Sequence, residues 1–270
     1  MPLNSKTIGI FDSGVGGLSV LRAIRQRLPA QPVIYLADQA HVPYGPRSLA
    51  EVRAFSEAIT RFLLGQGAAL IVVACNTASA AALYHLRRIF PQVPIVGMEP
   101  AVKPAAEQTR SGVVGVLATP ATFQGALYSS VVERFANDVI LIQDTCPGLV
   151  GQIEAGQLAS PETRAILEHA LQPMLERGID TLVLGCTHYP FVIPLIEEIA
   201  GPGVRVIDPA PAIARQVERL LDANDLRAKG TVGGSLCLFT TGDAEKMQQL
   251  LPMLLGEEAQ VETASLDGFL

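Results

Sequence analysis

Two segments of the chain end in a cysteine placed for chemistry. In Leu70-Ile71-Val72-Val73-Ala74-Cys75-Asn76-Thr77-Ala78-Ser79 and in Thr181-Leu182-Val183-Leu184-Gly185-Cys186-Thr187-His188-Tyr189-Pro190, branched apolar residues run into one thiol and then into small hydrogen-bonding residues. Each reads as a buried strand that delivers a thiol to the start of a helix, where open α/β sheets gather their reactive groups. A thiol at a helix N-terminus lies in the positive end of the dipole. Its pKa is therefore expected below the free value of about 8.5, with more thiolate near neutrality.

A single cysteine at a strand end most often only fills space, because cysteine is among the most buried residue types. Repetition argues against that here. Cys75 stands 66 positions after Gly9 and Cys186 stands 71 after Gly115, and Ile8-Gly9-Ile10-Phe11-Asp12-Ser13 can be laid over Val114-Gly115-Val116-Leu117-Ala118-Thr119. Two thiols at equivalent ends of two related lobes would face one another across a cleft. One thiolate could then take a proton from a carbon while the other thiol gives one to the opposite face, which is inversion at that carbon.

A positioned acid or base contributes about 10²- to 10⁴-fold, so two thiols alone do not carry a Cα deprotonation. The remainder must come from donors around a substrate carboxylate, where charge accumulates. Asn76-Thr77 and Thr187-His188 offer such donors beside each thiol. Asp12-Ser13 should open into the same cleft, with Thr119 at the corresponding place in the second lobe. Asn76 and Thr187 also suit ordinary N-capping, a role compatible with substrate contact. His188 reads either as a surface histidine or as the group that holds the proton balance of Cys186.

The elements that must position these residues alternate between strand and helix, which implies mostly parallel sheets covered on both faces. Strands are expected near residues 7–11, 32–37, 70–74, 93–98, 113–118, 139–143, 181–185, 204–207 and 236–240. Ser48-Leu49-Ala50-Glu51 has capping-box form, and Thr119-Pro120, Ser160-Pro161-Glu162 and Thr241-Gly242-Asp243 each open a helix. Pro100 marks a crossing into the second lobe and Asp208-Pro209 the return. The expected lobes are residues 1–98 with 208–270, carrying Cys75, and residues 99–207, carrying Cys186.

The 270 residues are ample for two lobes with real cores. No apolar run approaches the roughly 20 residues of a membrane span, and Met1-Pro2-Leu3-Asn4-Ser5-Lys6 lacks the form of a signal peptide, so a cytoplasmic protein is expected. The four cysteines, at 75, 146, 186 and 237, match no zinc spacing and would be reduced there; neither disulfide nor metal is expected. A net charge of −6 offers no basic face for nucleic acid.

Together, Gly9-Ile10-Phe11-Asp12-Ser13-Gly14-Val15-Gly16-Gly17, Pro43-Tyr44-Gly45, Ala74-Cys75-Asn76-Thr77-Ala78 and Gly185-Cys186-Thr187-His188-Tyr189-Pro190 resemble the cofactor-independent glutamate racemases of bacterial cell-wall synthesis. The resemblance spans nearly the whole chain. It implies two pseudosymmetric α/β lobes that interconvert L- and D-glutamate without a cofactor, with Cys75 serving D-glutamate and Cys186 serving L-glutamate. It also carries substrate contacts onto Asp12, Ser13, Tyr44, Gly45, Asn76, Thr77, Thr187 and His188, and supporting acid/base roles onto Asp12, Glu154 and His188. Glu154 rests on the looser match of an acidic residue eight positions after Cys146-Pro147, and it also reads as part of a solvated helix face. The expected partner is the small substrate glutamate, with no nucleic acid and no membrane, and a homodimer is the assembly considered.

Four other readings compete. Gly14-Val15-Gly16-Gly17 after a strand, with Asp38 ending the next, approaches a nucleotide-binding fingerprint, but Ser19 stands where its third glycine belongs. An aspartate racemase would share the mechanism, and a two-lobed binding module would need no thiols. A pyridoxal phosphate enzyme needs a Schiff-base lysine, and Lys6, Lys103, Lys229 and Lys246 all lie outside strand-to-helix turns.

Overall fold

The computed structural model describes residues 6–136 and 138–269. Met1 to Ser5, which carry most of the segment read above for a signal peptide, lie outside the described residues. The chain first runs through β1 (Thr7–Asp12), α1 (Leu18–Arg27), β2 (Val33–Ala37), α2 (Leu49–Gly65), β3 (Ala68–Val73), α3 (Asn76–Ile89) and β4 (Ile95–Gly97). Met98-Glu99-Pro100-Ala101 then carries it to a second sheet.

That sheet is built with α4 (Val102–Gln108), β5 (Val113–Ala118), α5 (Pro120–Gln124), α6 (Ala126–Phe135), β6 (Ile140–Asp144), α7 (Leu149–Glu154), α8 (Pro161–Glu176), β7 (Thr181–Gly185), a 3₁₀ turn (Tyr189–Val192), α9 (Ile193–Ala200) and β8 (Arg205–Ile207). Asp208-Pro209 leads back. The first sheet is completed by α10 (Ala210–Ala223), β9 (Leu236–Thr240), α11 (Ala244–Leu254) and β10 (Val261–Thr263).

The first sheet has the order β10-β9-β2-β1-β3-β4 and the second β6-β5-β7-β8, and every pairing is parallel. The four strands β2-β1-β3-β4 therefore repeat as β6-β5-β7-β8. Register repeats with them: Gly9 pairs with Ile71 and Phe11 with Val73, while Gly115 pairs with Leu182 and Leu117 with Leu184. The two glycines do the same work. A Cβ on Gly9 would lie 3.0 Å from Ile71 Cδ1, and one on Gly115 would lie 2.8 Å from Leu182 Cδ1.

Local signals account for most helix ends. Ser48 accepts from the Glu51 N–H and Glu51 reaches back to the Ser48 N–H, the reciprocal box that opens α2. Ser160 and Asp243 cap α8 and α11 through the N–H groups of Thr163 and Lys246. The helix opened by Thr119-Pro120 breaks at Gly125 into α5 and α6. A Cβ there would lie 2.7 Å from Ala80 Cβ on α3, so a helix of the first sheet packs where the break falls. Strand β10, within what reads in sequence as a ragged tail, extends the first sheet beside β9.

Both crossings between the sheets, Gly97 to Ala101 and Ile207 to Pro209, line one cleft of about 650 Å³. Among the described residues no helix is long and apolar enough to cross a membrane.

Candidate active site

In a parallel sheet of order 2-1-3-4 the crevice opens where the order reverses, at the carboxyl ends of the first and third strands. Asp12 ends β1 and Cys75 follows β3; Thr119 follows β5 and Cys186 follows β7. The two crevices meet. Cys75 and Cys186, each only 5% exposed, line one cavity of about 20 Å³, room for about one water. Ser13, Tyr44, Gly45, Asn76 and Thr77 line it from the first sheet, and Thr119, Thr187 and His188 from the second. Pro43 and Val150 complete the wall. Val150 carries no signal in the sequence beyond being apolar.

Asp12 and Glu154 stand one layer behind that wall. Asp12 Oδ1 accepts from the Gly14 N–H at 2.7 Å, and Oδ2 accepts from the Thr187 hydroxyl at 2.9 Å. Burial raises its pKa to about 6 against the pull of His188 and the Gly14 N–H. Glu154 is not on a solvated face. Its Oε1 accepts from His188 Nε2 at 2.6 Å and from the Val15 N–H at 2.8 Å, and its Oε2 accepts from Gln39 Nε2 at 3.1 Å. Burial would raise its pKa, but the His188 hydrogen bond and charge, with these donors, hold it below the usual carboxylate value.

His188 is likewise no surface histidine, being 2% exposed. Its Nδ1 lies 3.7 Å from Cys186 Sγ while Nε2 holds Glu154. Burial alone would lower its pKa. The hydrogen bonds to Cys186 and Glu154 outweigh that and hold it well above the ordinary histidine value.

The two thiols meet different surroundings. Cys75 caps α3: its Sγ accepts from the Ala78 N–H at 3.4 Å, and its thiol points to the Ser13 hydroxyl at 3.8 Å. The expected fall in its pKa does not occur. Burial pushes it well up, the Asp12 charge adds to that, and the helix-end N–H is the smaller influence. Cys186 departs from expectation in another way. After β7 come a turn and the 3₁₀ segment Tyr189–Val192, and an α-helix begins only at Ile193. His188, not a helix end, is its polar neighbour.

Asn76 is 4% exposed and lines the cavity, yet neither its Nδ2 nor its Oδ1 has a hydrogen-bond partner among the described residues. An unpartnered buried amide is costly and calls for a partner that the described residues do not supply. The Thr77 and Thr119 hydroxyls lie 2.8 Å apart and link the sheets. Tyr44 lines the wall with its hydroxyl donated to Asp38 at 2.5 Å, and Asp38 also accepts from Thr241 at 2.7 Å. Cys146, buried with φ 42°, lies in the core behind the site.

The glycine loop serves the second lobe rather than a phosphate. A Cβ at Gly14 would overlap Glu154 Oε1, and one at Gly16 would overlap the His188 ring. Ser19 has its hydroxyl 2.8 Å from the Gly16 carbonyl and 2.9 Å from the Thr187 carbonyl. Asp38 is spent on Tyr44 and Thr241. Sequence alone does not reveal these duties of Ser19 and Gln39, whose partners lie 168 and 115 positions away.

Two facing α/β crevices, a thiol from each, and a histidine-carboxylate pair beside one of them are an arrangement suited to moving protons at carbon. The chain matches the model of the Asp/Glu/Hydantoin racemase family over residues 8–217, and it belongs to that family. Among its relatives is a glutamate racemase of Pseudomonas aeruginosa, 53% identical over 261 residues that cover 97% of this chain and 98% of the relative. Escherichia coli glutamate racemase, solved in complex with L-glutamate, superposes with a TM-score of 0.85 at 34% identity, covering 96% of this chain and 98% of that one. The glutamate racemase of Francisella tularensis, solved in complex with D-glutamate, gives 0.85 at 30% identity, covering 97% and 98%.

Proposed function

We propose that the chain interconverts L- and D-glutamate by proton transfer at Cα between Cys75 and Cys186. As a base, Cys186 takes the Cα proton of L-glutamate and Cys75 returns one to the opposite face; for D-glutamate the roles exchange. The observation that carries this reading is the convergence of both sulfurs, from equivalent strand ends, on one cavity that also holds the unpartnered amide of Asn76. Asn76, with Ser13, Thr77, Thr119 and Thr187, would surround the substrate carboxylates, the charge that grows as the proton leaves. His188 with Glu154 would manage the proton of Cys186, and Asp12 would fix Thr187 and the glycine loop.

The cavity is too small for glutamate, so the lobes, residues 1–98 with 208–270 and residues 99–207, part to admit it and close to exclude water. The product D-glutamate would feed peptidoglycan synthesis in the cytoplasm. Incubation with L-glutamate in D₂O without added cofactor, followed by NMR and polarimetry, tests the reading. Solvent deuterium is expected at Cα as rotation decays to zero, with the decay of rotation lost in both Cys75→Ser and Cys186→Ser and deuterium uptake by L-glutamate lost in Cys186→Ser. Racemisation by either variant at the wild-type rate, or a faster initial rate on aspartate than on glutamate, would overturn it.

A further inference from the structure

Both oxygens of Glu154 are held: Oε1 by donors from both sheets, His188 Nε2 and the Val15 N–H, and Oε2 from the first sheet. Oε1 meets His188 Nε2 of the second sheet, 2.6 Å away, while Oε2 takes a hydrogen bond from Gln39 Nε2, which follows β2 of the first. The other end of the Gln39 amide is fixed as well. Its Oε1 accepts from the Thr240 hydroxyl at 2.9 Å, and the Thr240 oxygen in turn accepts from the Gly242 N–H at 3.0 Å. Thr240 is fully buried at the end of β9. With its oxygen occupied by that N–H, the hydroxyl has its proton free for Gln39. The amide therefore has one orientation, oxygen to Thr240 and NH₂ to the carboxylate.

A carboxylate gripped on one oxygen still turns about its terminal torsion, which has only broad minima. A grip on the second oxygen removes that freedom. Gln39 does not line the cavity, so its influence passes through Glu154 and His188 to Cys186. Among the described residues Cys75 has no such chain behind it; its hydrogen bonds there are with the Ser13 hydroxyl and the Ala78 N–H.

We propose that Gln39, oriented by Thr240, is a positioning residue for Cys186: it fixes the Glu154 carboxylate so that His188 stays aimed at that sulfur. The proposal rests on the two-thiol reading above. It predicts a defect on one side of the substrate only. Enantiomers are equally stable, so kcat/KM must be the same in both directions for any variant, and the asymmetry has to be sought in which proton transfer limits the rate. If the Cys186 transfer is slowed, it becomes limiting both ways. A deuterium at Cα is removed in that transfer when the substrate is L-glutamate, and in the other transfer when it is D-glutamate.

The experiment measures kcat/KM and its isotope effect with L- and D-glutamate deuterated at Cα, for wild type, Gln39→Met and Thr240→Val. Losing a hydrogen bond to a charged group should lower kcat/KM of Gln39→Met about 10-fold in both directions. The isotope effect should rise for L-glutamate and fall towards unity for D-glutamate. Thr240→Val keeps Gln39 but frees its amide, and should show the same pattern with a loss of about 3-fold; it decides the matter should Gln39→Met fail to fold. A merely structural Gln39 would reduce the folded fraction and leave both isotope effects at their wild-type values, and that result in either folded variant overturns the proposal. Racemisation at the wild-type rate by Cys75→Ser or by Cys186→Ser would instead sink the two-thiol reading, and this proposal with it.

Discussion

Cys75 and Cys186 each follow by two positions a residue at matching register, Val73 and Leu184, yet one ends beside the Ser13 hydroxyl and the Ala78 N–H and the other beside the His188–Glu154 pair. Register is set by strand pairing, and the duplicated strands deliver both sulfurs to the same height. What surrounds each sulfur is set by loops, and these have diverged. On the Cys75 side the helix of residues 76–89 starts at once and lends an N–H. On the Cys186 side a turn places His188 instead, and the first lobe closes over it with glycines. Position can thus repeat between the halves while the polar surroundings of the two thiols differ.

The contrast can be broken most sharply at His188. Its replacement in His188→Asn should lower kcat by about 10²- to 10³-fold, within the range of a positioned acid or base. Early-time NMR in D₂O should show Cα exchange from L-glutamate falling further than exchange from D-glutamate; equal losses would mean that the two sides are chemically alike. Next in size is Gly16→Ala, whose methyl must displace the His188 ring. It should cost about 1 to 3 kcal/mol of stability, read from urea midpoints, with kcat/KM down about 10-fold or more. By contrast Gly9→Ala and Gly115→Ala, buried between strand and helix neighbours, should destabilise by about 1 to 3 kcal/mol, Gly9→Ala more because it meets the fixed Cβ of Ala68 at 2.8 Å where Gly115 meets only flexible side-chain ends, leaving activity per folded molecule little changed.

Asp12 sharpens the comparison through pH. Its native pKa of about 6 lies above the 3.8 of the unfolded chain, so the native state holds this proton more tightly. Its contribution is fully present below about pH 4 and is lost as pH rises through about 6, a swing of up to about 3 kcal/mol. Thermal unfolding as a function of pH should show that loss in wild type and a flatter curve in Asp12→Asn. The acid limb of kcat/KM should carry an apparent pKa near 6 that the variant lacks. The smallest effect belongs to the hydroxyl pair that joins the lobes. Thr77→Val should raise KM about 2- to 5-fold with kcat nearly unchanged, the worth of one neutral hydrogen bond.

Much of this was legible in the chain because it is local. The apolar runs before Cys75 and Cys186, the capping box at Ser48 and the glycine pairing of residues 9 and 115 are all short-range or periodic signals, and each strand they mark is present. The pKa of Cys75 was misjudged because the helix dipole can be read from sequence and desolvation cannot. Glu154, readable either as a supporting acid/base residue or as a solvated face, is decided by contacts with Val15, Gln39 and His188 from three other segments, which sequence does not show. Gly14 to Gly17 resemble a phosphate loop for the reason that glycines permit close approach to anything; the approaching group, Glu154 and His188 of the other lobe, lies too far along the chain to be inferred.

The backbone passes between the sheets twice, at Gly97 to Ala101 and at Ile207 to Pro209, and the two passages lie side by side along one cleft. A single tether would let the inserted half swivel freely. Paired tethers would leave it one easy rotation, like a door on two pins, so under the proposed closure each swing would bring the sulfurs back to the same separation, with the connections themselves restoring the alignment.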